Sequence, residues 1–206
     1  MKTKNLLTII FLLLLTSCNV LRRTPDPRTH DEGVVINGIR WATRNVDMPG
    51  TFAPTPENPG MFFQWNKKKG WNSMDRYVEG WDNSIPKGTK WYAENDPCPQ
   101  GWRVPTYEEL LSLGDIESEW TTQNGISGRL FGTAPHQIFL PTADNRVPTF
   151  RIGGASKVGR YWSSTQHDDS TRARVISFVA PNLLDLELLG GADGRNRKFS
   201  IRCVAK

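Results

Sequence analysis

The sequence predicts an α+β fold of mostly short antiparallel strands and long loops, with one or two short helices. Two observations support this class. Asn37-Gly38 separates two apolar runs, and this dipeptide is typical of a tight β-hairpin because both turn positions need a positive φ angle. The clearest helix signal begins at Thr106 and continues for only a few residues. Strands are therefore expected to form most of the domain.

The predicted helix starts with a capping box. Three prolines between residues 97 and 105 keep the preceding segment extended, since proline fixes φ and disfavours the α region for the residue before it. Thr106 is the N-cap, and Glu109, three residues later, completes the box. Gly114 is the predicted C-terminal stop of this helix.

The remaining elements are predicted from short apolar runs and from glycine. Strands are predicted at Val34–Ile36, Ile39–Trp41, Met61–Trp65, Gln137–Pro141, Tyr161–Thr165, Ala173–Ala180, Leu184–Leu188 and Ser200–Val204. Turns are predicted at Gly125, Gly128, Gly132, Gln166–Thr171 and Gly190–Gly194. Asn66–Asp96 follows neither the helix nor the strand period, which predicts a long aromatic loop region with a helical turn at Trp91–Glu94.

Residues 1–18 have the pattern of a lipoprotein signal peptide. Leu6–Leu15 is an apolar run much shorter than the roughly 20 residues that a membrane-spanning helix needs. Leu15-Thr16-Ser17-Cys18 then resembles a lipobox, whose cysteine receives the lipid anchor. The alternative is a plain secretory signal that is followed by a cysteine by chance. Residues 19–31 predict a flexible tether, and residues 32–206 predict the folded domain.

Charge and residue pattern exclude several classes of function. Beyond Cys18 the net charge is +3, because the formal +5 includes Lys2 and Lys4, and this small excess does not indicate a nucleic-acid partner. The three histidines form no recognised metal motif. The sequence therefore predicts no catalytic residue, no metal site and no cofactor.

Four stretches resemble the Fibrobacter succinogenes major paralogous domain. Cys98-Pro99-Gln100-Gly101-Trp102-Arg103-Val104-Pro105-Thr106 is similar to its CPxGWRxPT signature. The other three stretches follow the order of the family and are Trp41–Val46, Tyr161–Thr165 and Ile201–Val204. The resemblance implies a C-type-lectin-like fold in a cell-envelope lipoprotein of Bacteroidetes-type bacteria. It implies little about activity.

The resemblance and the cysteine count together predict a disulfide. Cys98 and Cys203 both occupy motif positions of the family, and Cys18 is assigned to the lipid. Export to an oxidising compartment allows the bond to persist. The alternative is a pair of free, buried thiols.

An outer-membrane location is expected, and the absence of an acidic run after Cys18 favours the periplasm-facing side over the surface.

Three tryptophans of the aromatic loop region are candidate ligand-binding residues. Trp65, Trp71 and Trp81 lie among asparagine, lysine and glycine, where an aromatic face flanked by polar groups suits stacking on a sugar or a partner side chain. The alternative is that they build a core that is poor in aliphatic residues. Trp162 is followed by Ser163-Ser164 instead of the Asn-Asp of calcium-dependent lectins, which makes calcium-dependent sugar binding doubtful.

These observations predict a non-enzymatic envelope lipoprotein that is held at the membrane by its lipid and binds a protein or glycan partner. A structural or accessory subunit of a fimbrial assembly is one alternative. An enzyme related to formylglycine-generating proteins is another, although such an enzyme needs paired reactive cysteines near its substrate groove.

Replacing Cys18 with alanine tests the predicted anchor. We expect Cys18→Ala to lose lipid labelling and to leave the membrane, because the variant has no thiol to accept the diacylglycerol. The measurements are metabolic labelling with a fatty acid and membrane fractionation. A variant that still sediments with membranes after a salt wash contradicts the lipobox assignment.

Overall fold

A computed structural model gives the fold and describes residues 26–72, 82–143, 157–181 and 188–206. The described residues form thirteen strands, one α-helix and two 3₁₀ turns. The strands are β1 Val34–Ile36, β2 Ile39–Asn45, β3 Met61–Gln64, β4 Gly70–Asn72, β5 Trp102–Arg103, β6 Ser118–Gln123, β7 Ile126–Thr133, β8 His136–Pro141, β9 Val158–Gln166, β10 Arg172–Val179, β11 Leu189–Gly194, β12 Lys198–Phe199 and β13 Arg202–Ala205. Helix α1 spans Tyr107–Leu111, and the 3₁₀ turns are Ala93–Asn95 and Ser112–Asp115.

The strands form four small sheets. Their orders are β1-β2-β13-β5, β11-β10-β9, β12-β3-β4 and β6-β7-β8. The ladders between these strands are all antiparallel. The prediction of a domain made mostly of short antiparallel strands is therefore confirmed. None of the helices in the described residues is long and apolar enough to span a membrane.

The two local predictions with the strongest sequence signals are confirmed. In the β1–β2 hairpin, Asn37 and Gly38 have φ angles of 48° and 77°. At the start of α1, the Glu109 N–H donates to the Thr106 hydroxyl at 3.2 Å, and the Thr106 N–H donates to the Glu109 carboxylate at 2.7 Å. Both capping-box hydrogen bonds therefore form.

The predicted stop at Gly114 is wrong. Helix α1 ends at Leu111, and Gly114 lies inside the 3₁₀ turn Ser112–Asp115. The Ser112 N–H donates to both the Glu108 and the Leu110 carbonyls, so the chain tightens into the 3₁₀ form before it reaches the glycine.

Several glycines that predicted turns lie within strands. Gly128 and Gly132 are in β7, while the turn of the β6–β7 hairpin is formed by Asn124-Gly125. A Cβ atom at Gly128 would lie 2.4 Å from the Phe139 ring of β8, so this glycine makes room for a neighbouring strand.

The turn predicted at Gly190–Gly194 is also wrong, because these residues belong to β11, which pairs with β10. A Cβ at Gly190 would lie 2.2 Å from the hydroxyl of Tyr107, so here too glycine permits close packing. The strand predicted at Leu184–Leu188 falls almost entirely outside the described residues.

The folded part of the chain begins earlier than residue 32. The Asp31 carboxylate is buried and accepts hydrogen bonds from the Thr43 N–H at 3.1 Å and from Arg44 Nε at 3.2 Å. The Phe52 N–H donates to the Arg28 carbonyl at 2.6 Å. The prediction of a flexible tether is therefore wrong for residues 26–31, because these contacts fix them to β2 and to the loop after it.

The core has two clusters that meet at β13 and at Ile201, the residue before it. Ile201 and Cys203 pack in the first cluster with Phe63, Trp65 and several other aromatic side chains, and Val204 packs in the second. Cys203 is bonded to Cys98, with Cα atoms 6.1 Å apart. The predicted disulfide is confirmed, and it joins the corner before α1 to the last strand.

Breaking this bond should destabilise the domain. We expect the double variant Cys98→Ala/Cys203→Ala to lose about 4–5 kcal/mol of unfolding free energy in the chain-entropy model, because a loop of roughly a hundred residues is no longer closed. Urea unfolding measures the change. Each single variant serves as the control and should lose nearly as much as the double variant, since either one breaks the bond. Two free thiols in the mass spectrum of the exported protein would contradict the assignment.

Candidate functional site

The structure buries the two candidate tryptophans that it describes. Trp65 is 0% exposed, its Nε1 donates to the Ser163 carbonyl at 3.0 Å, and its ring meets Trp91 edge-on. Trp71 is only 5% exposed. Neither presents an open face to a ligand, so the prediction that Trp65 and Trp71 form a recognition surface is wrong. These rings fill the interior of a segment with few aliphatic residues. Trp81 lies outside the described residues.

The sheet β12-β3-β4 explains what lies around Trp71. Successive side chains of a strand point to opposite faces, so Phe63 and its partner Phe199 face the first core cluster. The other face carries two cross-strand pairs, Phe62 with Trp71 and Gln64 with Lys198. This second face therefore combines aromatic rings with a cation.

Two ammonium groups contact the Trp71 ring. The Nζ atoms of Lys69 and Lys198 lie 4.2 Å and 4.7 Å from its centroid. Both distances are within the range of cation–π attraction. Lys198 is 0% exposed, and its Nζ donates to the Asp82 carbonyl at 2.9 Å. The Trp71 ring therefore contacts both ammonium groups, that of the exposed Lys69 and that of the buried Lys198.

The pKa of Lys198 is lowered to about 8. Burial is the main cause, since it disfavours the charged form. The Asp82 carboxylate acts in the opposite direction, and the positive charge of Lys69 lowers the pKa further.

Asn66 holds the next loop against the β3–β4 hairpin. It has a φ angle of 54°, as suits a turn residue, and it is buried. Its amide nitrogen donates to the Lys87 carbonyl at 2.8 Å, and its amide oxygen accepts from the Tyr92 N–H at 2.8 Å. The loop from Pro86 to Asn95 therefore follows the hairpin turn closely.

Arg195 lies between Trp65 and the same loop, and it contacts the backbone of the loop. Its guanidinium lies 4.2 Å from the Trp65 ring centre and donates to the Gly88 carbonyl at 2.8 Å and to the Pro86 carbonyl at 3.3 Å. The residue is 1% exposed, and burial lowers the pKa of its guanidinium. A buried cation thus fixes the backbone of the loop.

Five lysines project from the hairpin and from the loop beside it. We call them the lysine surface, and they are Lys67, Lys68, Lys69, Lys87 and Lys90. All are exposed except Lys67, which is half-buried. Within the described residues, none of them has a carboxylate at ion-pair distance. Residues 66–90 carry six basic and three acidic side chains, an excess equal to the +3 of the whole chain beyond Cys18.

Sequence reasoning missed the lysine surface. The run Lys67-Lys68-Lys69 was a visible signal, but the tryptophans beside it were the residues predicted to bind a ligand. Nothing in the sequence indicated that Lys87 and Lys90 would join this run, because the Asn66 hydrogen bonds that bring them together connect residues about twenty positions apart.

Elsewhere in the described structure, the metal-binding and polar side chains form no comparable candidate site. No group of three or more histidine, cysteine, aspartate or glutamate side chains within these residues is arranged to hold a metal ion. In the turn before β10, the Nδ1 of His167 accepts a hydrogen bond from the Asp169 N–H, and the Asp169 carboxylate accepts from Thr171. The side chains of His167 and Asp169 are therefore hydrogen-bonded within the turn itself.

Comparison with known proteins identifies no relative. The chain matches no protein-family model, no curated protein and no solved structure. Among the described residues, the lysine surface is the feature with the most evident capacity for binding.

The lowered pKa of Lys198 predicts a pH-dependent stability. The ordinary pKa of a lysine is about 10.5. Between pH 8 and this value, the unfolded chain holds a proton on Lys198 that the folded chain has lost. The unfolding free energy of the wild type, relative to Lys198→Met, should therefore rise as the pH increases through this window. Urea unfolding at several pH values measures the difference.

Lys157→Met removes an exposed lysine immediately before β9, away from the sheet of Lys198, and is the matched control. It should show no comparable change relative to the wild type over the same window. A constant difference between the wild type and Lys198→Met from pH 7 to pH 10 contradicts the lowered pKa.

Proposed function

We propose that this chain is a non-enzymatic lipoprotein of the bacterial cell envelope, with a C-type-lectin-like domain that binds a protein or glycan partner. The lipobox at Leu15–Cys18 supports the anchored location. The four stretches that resemble the Fibrobacter succinogenes major paralogous domain support membership of that family. An outer-membrane protein facing the periplasm is the location that these sequence features favour.

The arrangement of the chain ends supports the C-type-lectin-like assignment. Domains of that fold begin and end with strands that pair with each other, and here β2 pairs with β13. The bond between Cys98 and Cys203 links two motif positions of the family. Long connections such as the one between β4 and β5 then extend from this closed frame.

The lysine surface carries the binding function. Five cations lie on two adjoining segments, and none of them has a described carboxylate at ion-pair distance. Surfaces with one sign of charge raise the local concentration of partners with the opposite sign and speed their association. Because Asn66 and Arg195 hold the two segments in place, a partner meets an ordered surface.

The state of the cysteines supports binding over thiol chemistry. A formylglycine-type enzyme needs an accessible thiolate. Cys98 and Cys203 are bonded to each other, and Cys203 is 0% exposed. The third cysteine of the chain is Cys18, which the lipobox assigns to the anchor.

A binding assay with the native chain tests this function. We expect the detergent-solubilised full chain to bind at least one envelope protein or one array glycan saturably, because the lysine surface is ordered and open to solvent. Pull-down from envelope extract and a glycan array are the two measurements, and heat-unfolded protein is the control. Absence of saturable binding in both assays contradicts the proposal. Rapid labelling of a cysteine in the native, unreduced chain by a maleimide would favour the enzyme instead.

A further inference from the structure

We propose that the lysine surface is the binding site for an anionic glycan, a polysaccharide that carries phosphate or carboxylate groups. This inference rests on the proposed binding function and specifies its location and the chemistry of its partner. It follows from how the lysines are held, from the charge beneath them and from the absence of an exposed aromatic platform in the described part of this region.

The backbone that carries the lysines is ordered, and the side chain of Lys69 is held in place. Lys67, Lys68 and Lys69 occupy the three-residue link between the buried turn residue Asn66 and strand β4. The ammonium of Lys69 rests on the Trp71 ring. A partner that binds this turn does not have to order its backbone or the Lys69 side chain, and that lowers the entropic cost of association.

Arg195 places a buried positive charge behind the lysine surface. Arg195 donates only to the backbone carbonyls of Arg172, Pro86 and Gly88, and its Nη2 has no hydrogen-bond partner within the described residues. No carboxylate of the described chain lies within ion-pair distance of its guanidinium. A charge in the low-dielectric interior is poorly screened, so Arg195 adds to the positive potential above the loop that carries Lys87 and Lys90.

The burial of the described tryptophans favours an anionic sugar over a neutral one. Neutral sugars bind proteins largely by stacking on aromatic faces, which need to be open to solvent. Trp65 and Trp71 are 0% and 5% exposed, and Trp91 is 7% exposed. The groups that the described surface does offer are ammonium ions, and lysine binds phosphate and carboxylate oxygens as a compact point charge.

The residue types of the lysine surface favour a glycan over a protein partner. The centre of a protein–protein interface is enriched in aromatic residues and arginine and depleted of lysine. In the described parts of the hairpin and the loop, Ile85 is the one large apolar side chain that is exposed, at 51%. A single exposed apolar residue is ordinary for a surface. This surface therefore suits a flexible anionic polymer better than the apolar anchor of a protein.

A nucleic acid is also an anionic polymer, but the same observations disfavour it. Binding of single strands combines basic residues with aromatic side chains on which the bases stack, and the tryptophans of this region are buried. The net charge of +3 beyond Cys18 is small for a protein that tracks a phosphate backbone. An oligonucleotide is therefore included in the test as a competing ligand.

The test compares two triple variants of the full chain in detergent. Lys67→Gln/Lys68→Gln/Lys69→Gln removes the hairpin charges. Arg40→Gln/Lys157→Gln/Lys206→Gln removes three exposed cations from other elements and changes the net charge equally. The probes are phosphorylated mannan, the same mannan without phosphate, polygalacturonate, inorganic phosphate and a single-stranded oligonucleotide of matched charge. Thermal unfolding of both variants checks that they fold.

We expect the native chain to bind phosphorylated mannan or polygalacturonate and not to bind the neutral mannan. The hairpin variant should weaken this binding about tenfold or more, and the control variant by no more than about twofold, because screening limits the effect of distant charges. Raising the salt from about 50 to 300 mM should also weaken binding strongly. Inorganic phosphate should compete only weakly, since a single anion contacts few of the lysines.

Several results would overturn the inference. Equal losses in the two triple variants would show that net charge matters and that the hairpin does not. Binding of neutral mannan, or tighter binding of the oligonucleotide, would assign the site to another class of ligand. If the full chain binds an envelope protein or array glycan and the hairpin variant binds it equally well, the inference fails while the proposed function stands. If the native chain binds nothing in any of these assays, both fail.

Discussion

The last strand, β13, holds the domain together through two neighbouring residues. Cys203 is bonded to Cys98, and Arg202 is fully buried with its guanidinium donating to Asn45 Oδ1, to the Ala42 carbonyl and to the Phe139 carbonyl, at 2.9, 3.0 and 2.9 Å. Burying a cation is costly unless its donors are satisfied. Burial lowers the pKa of Arg202 to about 10, and each of its three nitrogens has a partner. The final strand therefore ties β2 and β8 to the corner before α1.

The tryptophans connect this frame to the hairpin that carries the lysines. Trp162 of β9 donates its Nε1 to the Phe63 carbonyl at 2.8 Å, and Trp65 donates its Nε1 to the Ser163 carbonyl at 3.0 Å. The two indoles thus fasten β3 and β9 to each other through buried hydrogen bonds. Their role is to support the lysine surface from within, and the exposed charges belong to the lysines. This arrangement explains how a domain rich in tryptophan has a cationic surface among its described residues.

Sequence signals that span only a few residues were sufficient to predict part of the fold. Asn37-Gly38 predicted its hairpin because the positive φ angles of that turn are a property of two adjacent residues. Thr106 and Glu109 predicted the start of α1 because both capping-box bonds form within one turn. The link between Cys98 and Cys203 was also predictable, since only one pairing remained once Cys18 was assigned to the lipid.

What the sequence determined by itself is the class of the fold, the start of its helix and its disulfide. Only the tertiary structure determined the structural roles of the glycines and tryptophans, because neither residue type by itself indicates whether a neighbouring side chain packs against it. Gly128 allows Phe139 to approach where a turn was predicted, and Trp65 is buried where a recognition face was predicted. The lysine surface depended on tertiary structure for the same reason. Lys87 and Lys90 are distant in sequence from Lys67–Lys69, and only the long-range hydrogen bonds of Asn66 and Arg195 bring their charges together.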